Sequence, residues 1–436
     1  LCAFALVTAA CGDDDDDGAS VSSDTEAADT GETAADTGEA ETSGEGGQLE
    51  ALRVPDDFDT IQEAVDAAEP GDLILISPGV YHESVQVQTE DIVIRGLDRN
   101  EVILDGEFDE DYPHGFQVFA NGVAIENLTT RNFTSNGVFF TGSYDDEFVL
   151  TGYRASYVTA HNNGDYGIYA FNASEGLFEH LYGSGHPDSA VYVGQCRPCN
   201  AVVTDVLGEN NALGYSGTNA SGNLWVINNE WRNNRLGVVP NTLAGEELGP
   251  QGDGNFAGNY IHSNGNLDTP LKGSFWDLGF GAGMVVAGGN ENNITKNLIT
   301  DNATAGIFVT FLPLDDDIFR VSGNRVFENV VTGNEVADLV LLAGPEDGNC
   351  FVDNEYETSL PPEIEVQAAC DVDPPAAFEG DIFPIEEKER PTVEYQDVPA
   401  PTLDFENMPN ADSAPPEPAV DMMPSMTLDD VSLPTP

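Results

Sequence analysis

A short glycine-centred phrase recurs along this chain: Asn-Gly-Val at Gly137, Tyr-Gly-Ile at Gly167, Ser-Ala-Val at Ala190, Leu-Gly-Tyr at Gly214, Leu-Gly-Val at Gly237, Ala-Gly-Met at Gly283 and Ala-Gly-Ile at Gly306. The spacings are 30, 23, 24, 23, 46 and 23 residues, the 46 being two periods. Such a period, built from short β-rich stretches punctuated by Asn and Gly, restricts the chain to a parallel β-solenoid whose equivalent side chains stack in columns. One long all-β domain is therefore expected where 436 residues would otherwise suggest two or three domains.

Strand alternation assigns a direction to each column. The residue after the glycine reads Val138, Ile168, Val191, Tyr215, Val238, Met284 and Ile307, and two further on come Phe140, Ala170, Val193, Gly217, Pro240, Val286 and Val309. Both columns are mostly apolar and point inward. The column between them, Phe139, Tyr169, Tyr192, Ser216, Val239, Val285 and Phe308, faces outward, so three aromatics on neighbouring coils predict an exposed strip. Four positions before the glycine lie Phe133, Asn163, His186, Asn210, Asn233 and Asn302, an expected ladder of amides bonded along the stack. His186 within it reads equally as a turn-capping residue or a catalytic one. Two before the glycine come Asp165, Asp188, Ala212 and Arg235, at the turn entering the strip. The register makes Asp165 and Asp188 neighbours, and two carboxylates that close need a cation or a donor between them.

The ends of the solenoid differ from its middle. Thr60-Ile61-Gln62-Glu63 followed by Ala64, Val65 and Ala68, and stopped by Pro70-Gly71, predicts a short helix that caps the first coil. Leu1 to Ala10 reads as the apolar part of an export signal, too short to span a bilayer. Thr8-Ala9-Ala10-Cys11 resembles a bacterial lipobox, which predicts a truncated lipoprotein signal peptide over 1–11, lipidation of Cys11 and anchoring to the outer face of the cell membrane. Residues 12–50 and 373–436 are rich in acids, Gly, Ser and Pro, and both are expected to be disordered flanks of a domain spanning 51–372. Of the other cysteines, Cys196 with Cys199 and Cys350 with Cys370 allow three pairings, of which the local one is preferred. Lys and Arg total 14 against 78 Asp and Glu, a formal charge of −64, which excludes nucleic acid and anionic membrane surfaces as partners and leaves the lipid anchor as the membrane contact.

Two stretches resemble a known superfamily. Thr60-Ile61-Gln62-Glu63-Ala64 through Ser77-Pro78-Gly79-Val80-Tyr81-His82-Glu83 to Ile94-Arg95-Gly96-Leu97 and Leu104-Asp105-Gly106 is similar to the first coils of right-handed parallel β-helix proteins of the pectin lyase-like superfamily. Pro187-Asp188-Ser189-Ala190-Val191-Tyr192-Val193-Gly194-Gln195-Cys196 resembles secreted actinobacterial β-helix lipoproteins of undefined activity. The resemblance implies a single-stranded right-handed parallel β-helix over about Leu52 to Asp371, a monomer, and a polysaccharide or cell-envelope glycan as partner. It transfers no catalytic motif: Pro113-His114 shares only a dipeptide with the epimerases, and no paired-Asp segment matches the pectinesterases.

Three functions follow from these residues. A glycan-processing enzyme, whether lyase, hydrolase or epimerase, would stack sugars on Phe139, Tyr169 and Tyr192, use Asp165 and Asp188 as an acid–base pair or a calcium site, and use Arg235 or His186 as further catalytic groups. A binding module would use the same strip without turnover. A copper-handling protein is a third reading, weakened by dispersed His residues and by the placing of Met408, Met422, Met423 and Met426 in the tail. The long interval between Gly237 and Gly283, with Glu246 to Asp253 and Asp268 to Leu278, predicts loops that wall the strip, and Trp276 either covers the groove or shields the interior beneath.

Overall fold

The computed structural model describes residues 50–143, 147–273, 279–314, 317–373, 375–381, 388, 390–419 and 426–436. The signal segment with Cys11, nearly all of the 12–50 linker, and Trp276 lie outside the described residues. A typical coil consists of three short strands that pair in parallel with the coils before and after. One coil is Ala201–Thr204, Leu207–Glu209 and Leu213–Thr218, and the next is Ser221–Ile227, Glu230–Arg232 and Leu236–Asn241. Val203 pairs with Val226, Gly208 with Trp231 and Tyr215 with Val238, so three sheets run the length of the solenoid. The first two join into 21 strands because Val123–Arg131 and Leu150–His161 continue through their corner; the third has 11 strands, from Val85–Val87 to Ser359–Leu360.

The corners explain the Asn content. At the first corner Asp205 and Asn228, and at the second Asn162, Asn210 and Asn233, have φ between 51° and 59°. Asn and Asp enter this left-handed region at lower cost than other side chains because they hydrogen-bond locally. The residue after each corner then points inward and meets its equivalent on the next coil. Asn211 N–H and Nδ2 both donate to Asn234 Oδ1 at 3.0 Å, Asn234 N–H donates to Asn264 Oδ1 at 3.0 Å, and the series continues through Asn302 and Asn334 to the carboxylate of Asp338. The ladder expected at Asn210 and Asn233 is thus displaced by one residue: these two form the turn, and Asn211 and Asn234 form the ladder. Two further ladders occupy the other corners, Asn229 to Asn354 ending on Glu365, and Asn292, Asn324 and Asn349. In each, one coil's amide satisfies the buried backbone N–H of the coil before it.

Both inward columns are buried as expected, and Val138, Ile168, Val191, Tyr215, Val238, Met284 and Ile307 are fully enclosed. The cap is a helix over Ile61–Ala67 that buries Ile61, Ala64 and Val65 on the first coil. Thr60 Oγ1 accepts from Glu63 N–H, but Glu63 reaches Asp59 N–H instead of Thr60, and Glu83 accepts from the N–H groups of Ile61 and Gln62 at 3.0 Å. A carboxylate at a helix N-terminus offsets its unpaired donors. Both local disulfides form, Cys196–Cys199 and Cys350–Cys370, the latter tying the last coil. Among the described residues no helix is long and apolar enough to cross a membrane.

The C-terminal segment departs from expectation. Residues 390–419 and 426–436 form an extended strap over the first two sheets. Arg95 Nη1 donates to Ala414 O at 2.6 Å, Arg154 Nη2 to Glu417 O at 2.8 Å, and Lys296 Nζ to Leu428 O at 2.8 Å. Phe405 packs on Tyr182 with centroids 4.3 Å apart and lies 5.0 Å from the Arg99 guanidinium, while Val431 joins an apolar cluster with Val202, Trp225, Ile227 and Ala257. A few anchors and a row of backbone carbonyls offered to buried cations hold a chain whose composition alone indicates disorder.

Candidate functional site

The outward column of the third sheet has the expected register. Phe139 pairs with Tyr169, Tyr169 with Tyr192, Tyr192 with Ser216 and Ser216 with Val239. The Phe139 and Tyr169 rings stack 4.6 Å apart at an interplanar angle of 3°, Tyr166 stacks on Tyr169 at 4.4 Å, and Tyr192 meets Tyr169 edge-on at 4.8 Å. His114 extends the row, its ring 5.4 Å from Phe139. Burial pushes the His114 imidazole down to about 4, so it is neutral at ordinary pH.

The strip is not open along its whole length. His114, Phe139, Tyr166 and Tyr169 are half-buried, whereas Tyr192 is only 3% exposed and Val239, Val285 and Phe308 are buried. These later positions form a second apolar cluster with Leu213 and Leu236, against which Leu243, Leu271 and Phe319 from three excursions pack. The solvent-facing row is therefore the His114 to Tyr169 portion, and the outward aliphatics beyond it are an interior under loops.

Carboxyl groups border this portion. Asp188 N–H donates to Asp165 O at 3.1 Å, which makes the two residues neighbours as the repeat implied. Lys272 Nζ lies 2.7 Å from Asp165 Oδ2. Burial, then the Asp165 charge, pushes the Asp188 carboxyl up to about 7, with Lys272 and the Tyr166 and Ser189 side chains acting in the opposite direction. Glu246, from the excursion after the Gly237 strand, accepts from the Tyr192 hydroxyl at 2.9 Å, and burial pushes it up to about 7 as well. Sequence reasoning marked Glu246 only as the start of a wall; an acidic residue in the insertion beside the aromatic column was the available signal. Two carboxyls poised near neutrality can give and take a proton.

Two proposed catalytic residues do not reach this surface. Arg235 is fully buried, donates to Pro391 O at 3.1 Å, and faces the Phe280 ring, which also contacts Arg390. It ties the wall loop and strap to the solenoid. His186 is fully buried at the ladder position, its ring nitrogens 3.2 Å and 3.3 Å from Ala160 O and Asn163 O, and burial pushes it down to about 4. It takes the structural alternative, filling a rung of the amide stack. Calcium takes six to eight oxygens and favours ionised carboxylates. Asp165 already pairs with Lys272, and two carboxyls fall short of that number of oxygens, so this donor set does not fit the ion. Among the described residues no group of three or more His, Cys, Asp and Glu side chains is arranged to hold a metal.

Three parallel sheets wound coil upon coil, with amide ladders at the corners, define a right-handed parallel β-helix. The family described as "Right handed beta helix region" matches residues 136–356, just over half of the chain, and the chain belongs to that family. Among solved structures, the A-module of the Azotobacter vinelandii mannuronan C-5 epimerase AlgE4 is similar with a TM-score of 0.50 at 16% identity, over 71% of this chain and 93% of that one. The Dettilon tailspike protein matches with a TM-score of 0.48 at 14% identity, over 65% of this chain and 56% of that one, and pectate lyase Pel9A with 0.39 at 13%, over 76% and 84%. At such identities the likeness is one of fold. No curated protein matches the sequence.

Proposed function

We propose that the protein binds an extracellular polysaccharide along the His114–Phe139–Tyr169 row, with the sugar chain lying across the coils of the third sheet. The observation that carries this reading is the half-exposed Phe139–Tyr169 stack of parallel rings, extended by Tyr166 and bordered by acids. A sugar chain lying along the row meets the apolar ring edges and the open end of the stack, and hydroxyl and carboxyl groups beside them accept sugar hydroxyls. Lipidation at Cys11 would hold the β-helix at the outer face of the membrane, in reach of envelope or external glycans. The domain acts as a monomer in this reading.

A second reading, turnover of the bound glycan, is favoured by one arrangement: Asp188 borders Tyr166 and Glu246 holds the Tyr192 hydroxyl, the two rings lie 5.1 Å apart, and burial raises both carboxyls. Asp188 would act as general acid and Glu246 as base, with the Lys272–Asp165 ion pair beside them. Isothermal titration of the protein with a panel of neutral, acidic and amino oligosaccharides, followed by mass analysis of the recovered sugars, tests both. Binding lost in Phe139→Ala supports the first reading. Product formation lost in Asp188→Asn with binding retained supports the second, and no binding to any glycan overturns both.

A further inference from the structure

Resting on the glycan reading of this face, the chemistry of the site narrows the class of sugar. Asp188 is 93% buried by its 7% residual exposure, and its Oδ1 has no hydrogen-bond partner. Glu246 Oε2 is likewise buried and unpartnered, while its Oε1 holds the Tyr192 hydroxyl. Tyr166, which borders Asp188, and Tyr192 lie with centroids 5.1 Å apart, so both carboxyls serve one aromatic cluster. Unsatisfied buried acceptors call for donors from a ligand.

The available cations say which ligand fits. Lys272 is already 2.7 Å from Asp165, and Arg235 is buried beneath Phe280 and bonded to the strap. Elsewhere Arg131, Arg232 and Arg320 pair with acids of their own, and the whole chain carries a formal charge of −64. A uronate would add negative charge to a negative field, beside two carboxyls whose ionisation burial already opposes. A protonated amino sugar brings three N–H donors and a positive charge, and tyrosine faces attract ammonium groups through their π-electrons.

We infer that the site selects glycans bearing free amino groups, with a sugar ammonium seated between the Asp188 and Glu246 carboxyls at the Tyr166–Tyr192 end of the aromatic row. Seating the ammonium requires the 243–250 excursion to yield at its rim, where residues 244, 245 and 247 are exposed.

Titration calorimetry with glucosamine oligomers, their fully N-acetylated counterparts and oligogalacturonate of equal length tests this, at low and high salt. The amino oligomer is expected to bind at least about tenfold tighter than the N-acetylated one, as a charge-assisted hydrogen bond allows. That margin, read as the ratio of the two affinities so that a general change in glycan binding cancels, should shrink at high salt and vanish in Glu246→Gln and in Asp188→Asn; the second variant guards against a local fold defect in the first. Equal binding of the amino and N-acetylated forms overturns the amino preference and leaves the glycan reading standing. Tighter binding of oligogalacturonate does the same. Binding of none of the three, with none to any other glycan, removes both.

Discussion

Replacing Asn234 by Ala and, separately, its neighbour Asn233 by Ala should give very different penalties although the two residues are chemically identical. Asn234 is fully buried; its Nδ2 donates to Gly208 O at 2.9 Å, and its Oδ1 accepts from Asn211 N–H and Asn211 Nδ2, both at 3.0 Å. Truncation removes three hydrogen bonds and leaves a buried backbone N–H without an acceptor. At about 1 kcal/mol per bond and a further 1–3 kcal/mol for the orphaned donor, the loss is roughly 4–6 kcal/mol. Asn233 is exposed with φ 51°, so Asn233→Ala loses only the tolerance of Asn for the left-handed region, about 1 kcal/mol, and Asn233→Gly costs close to nothing. Urea unfolding followed by far-UV circular dichroism reads both, with hydrogen exchange at Asn211 N–H reporting the local defect. In a solenoid the damage stays in the coil and its neighbours. A penalty for Asn233→Ala equal to or above that of Asn234→Ala would refute the ladder assignment.

Further outcomes follow from the same structure. His114 and His186 stay neutral in the fold down to about pH 4, so the unfolded chain binds more protons between there and about 6.5, and stability rises with pH across that window; Asp188 and Glu246, protonated in the fold up to about 7, give the opposite slope from about 4 to 7. Asp188→Asn and Glu246→Gln together should unmask the histidine slope in thermal melts at a series of pH values; a pH profile identical to that of the parent protein would show that the carboxyls titrate normally. Lys272→Ala should raise the Asp188 midpoint in a carboxyl carbon-13 titration, because Lys272 opposes its burial and the Asp165 charge, and an unmoved midpoint would separate the loop from the site. Phe405→Ala removes the Tyr182 and Arg99 contacts, about 2 kcal/mol of strap docking, so limited proteolysis should cut the tail roughly tenfold faster or more while the coils remain resistant.

The repeat made much of the solenoid legible. Alternation about Gly167 and Gly237 placed Ile168 and Val238 inside and Tyr169 and Val239 outside, and the strand pairing follows that register. What alternation does not encode is cover: Val239 and Phe308 point outward yet are buried, because Leu243, Leu271 and Phe319 arrive from excursions remote from the repeat. The ladder slipped by one because counting back from the glycine assumes equal turns, and the turns into Gly214 and Gly237 are one residue shorter. The sequence held a better signal, Asn every five residues, as in Asn229 and Asn234, Asn259 and Asn264, or Asn292, Asn297 and Asn302. A corner residue, an inward Asn and a three-residue strand make that period. At the site, the Asp165–Asp188 adjacency was readable because both sit in the repeat. Glu246 was not, since an insertion has no column to align with. The burial of Arg235 depends on Pro391, 156 residues away, and on Phe280, neither of which local pattern can connect.

The central claim is that the half-exposed aromatic row of the third sheet is a glycan platform. Its most direct test is calorimetric affinity for the best oligosaccharide of the panel, measured for Phe139→Ala, Tyr169→Ala and the control Val366→Ala, whose side chain lies exposed on the C-terminal helix Ile364–Gln367. Each aromatic replacement should weaken binding about tenfold or more, the loss typical of a contact-centre anchor, while the control binds as the parent does. Undiminished binding by the Phe139→Ala, Tyr169→Ala double variant would contradict the claim and move the glycan to another face.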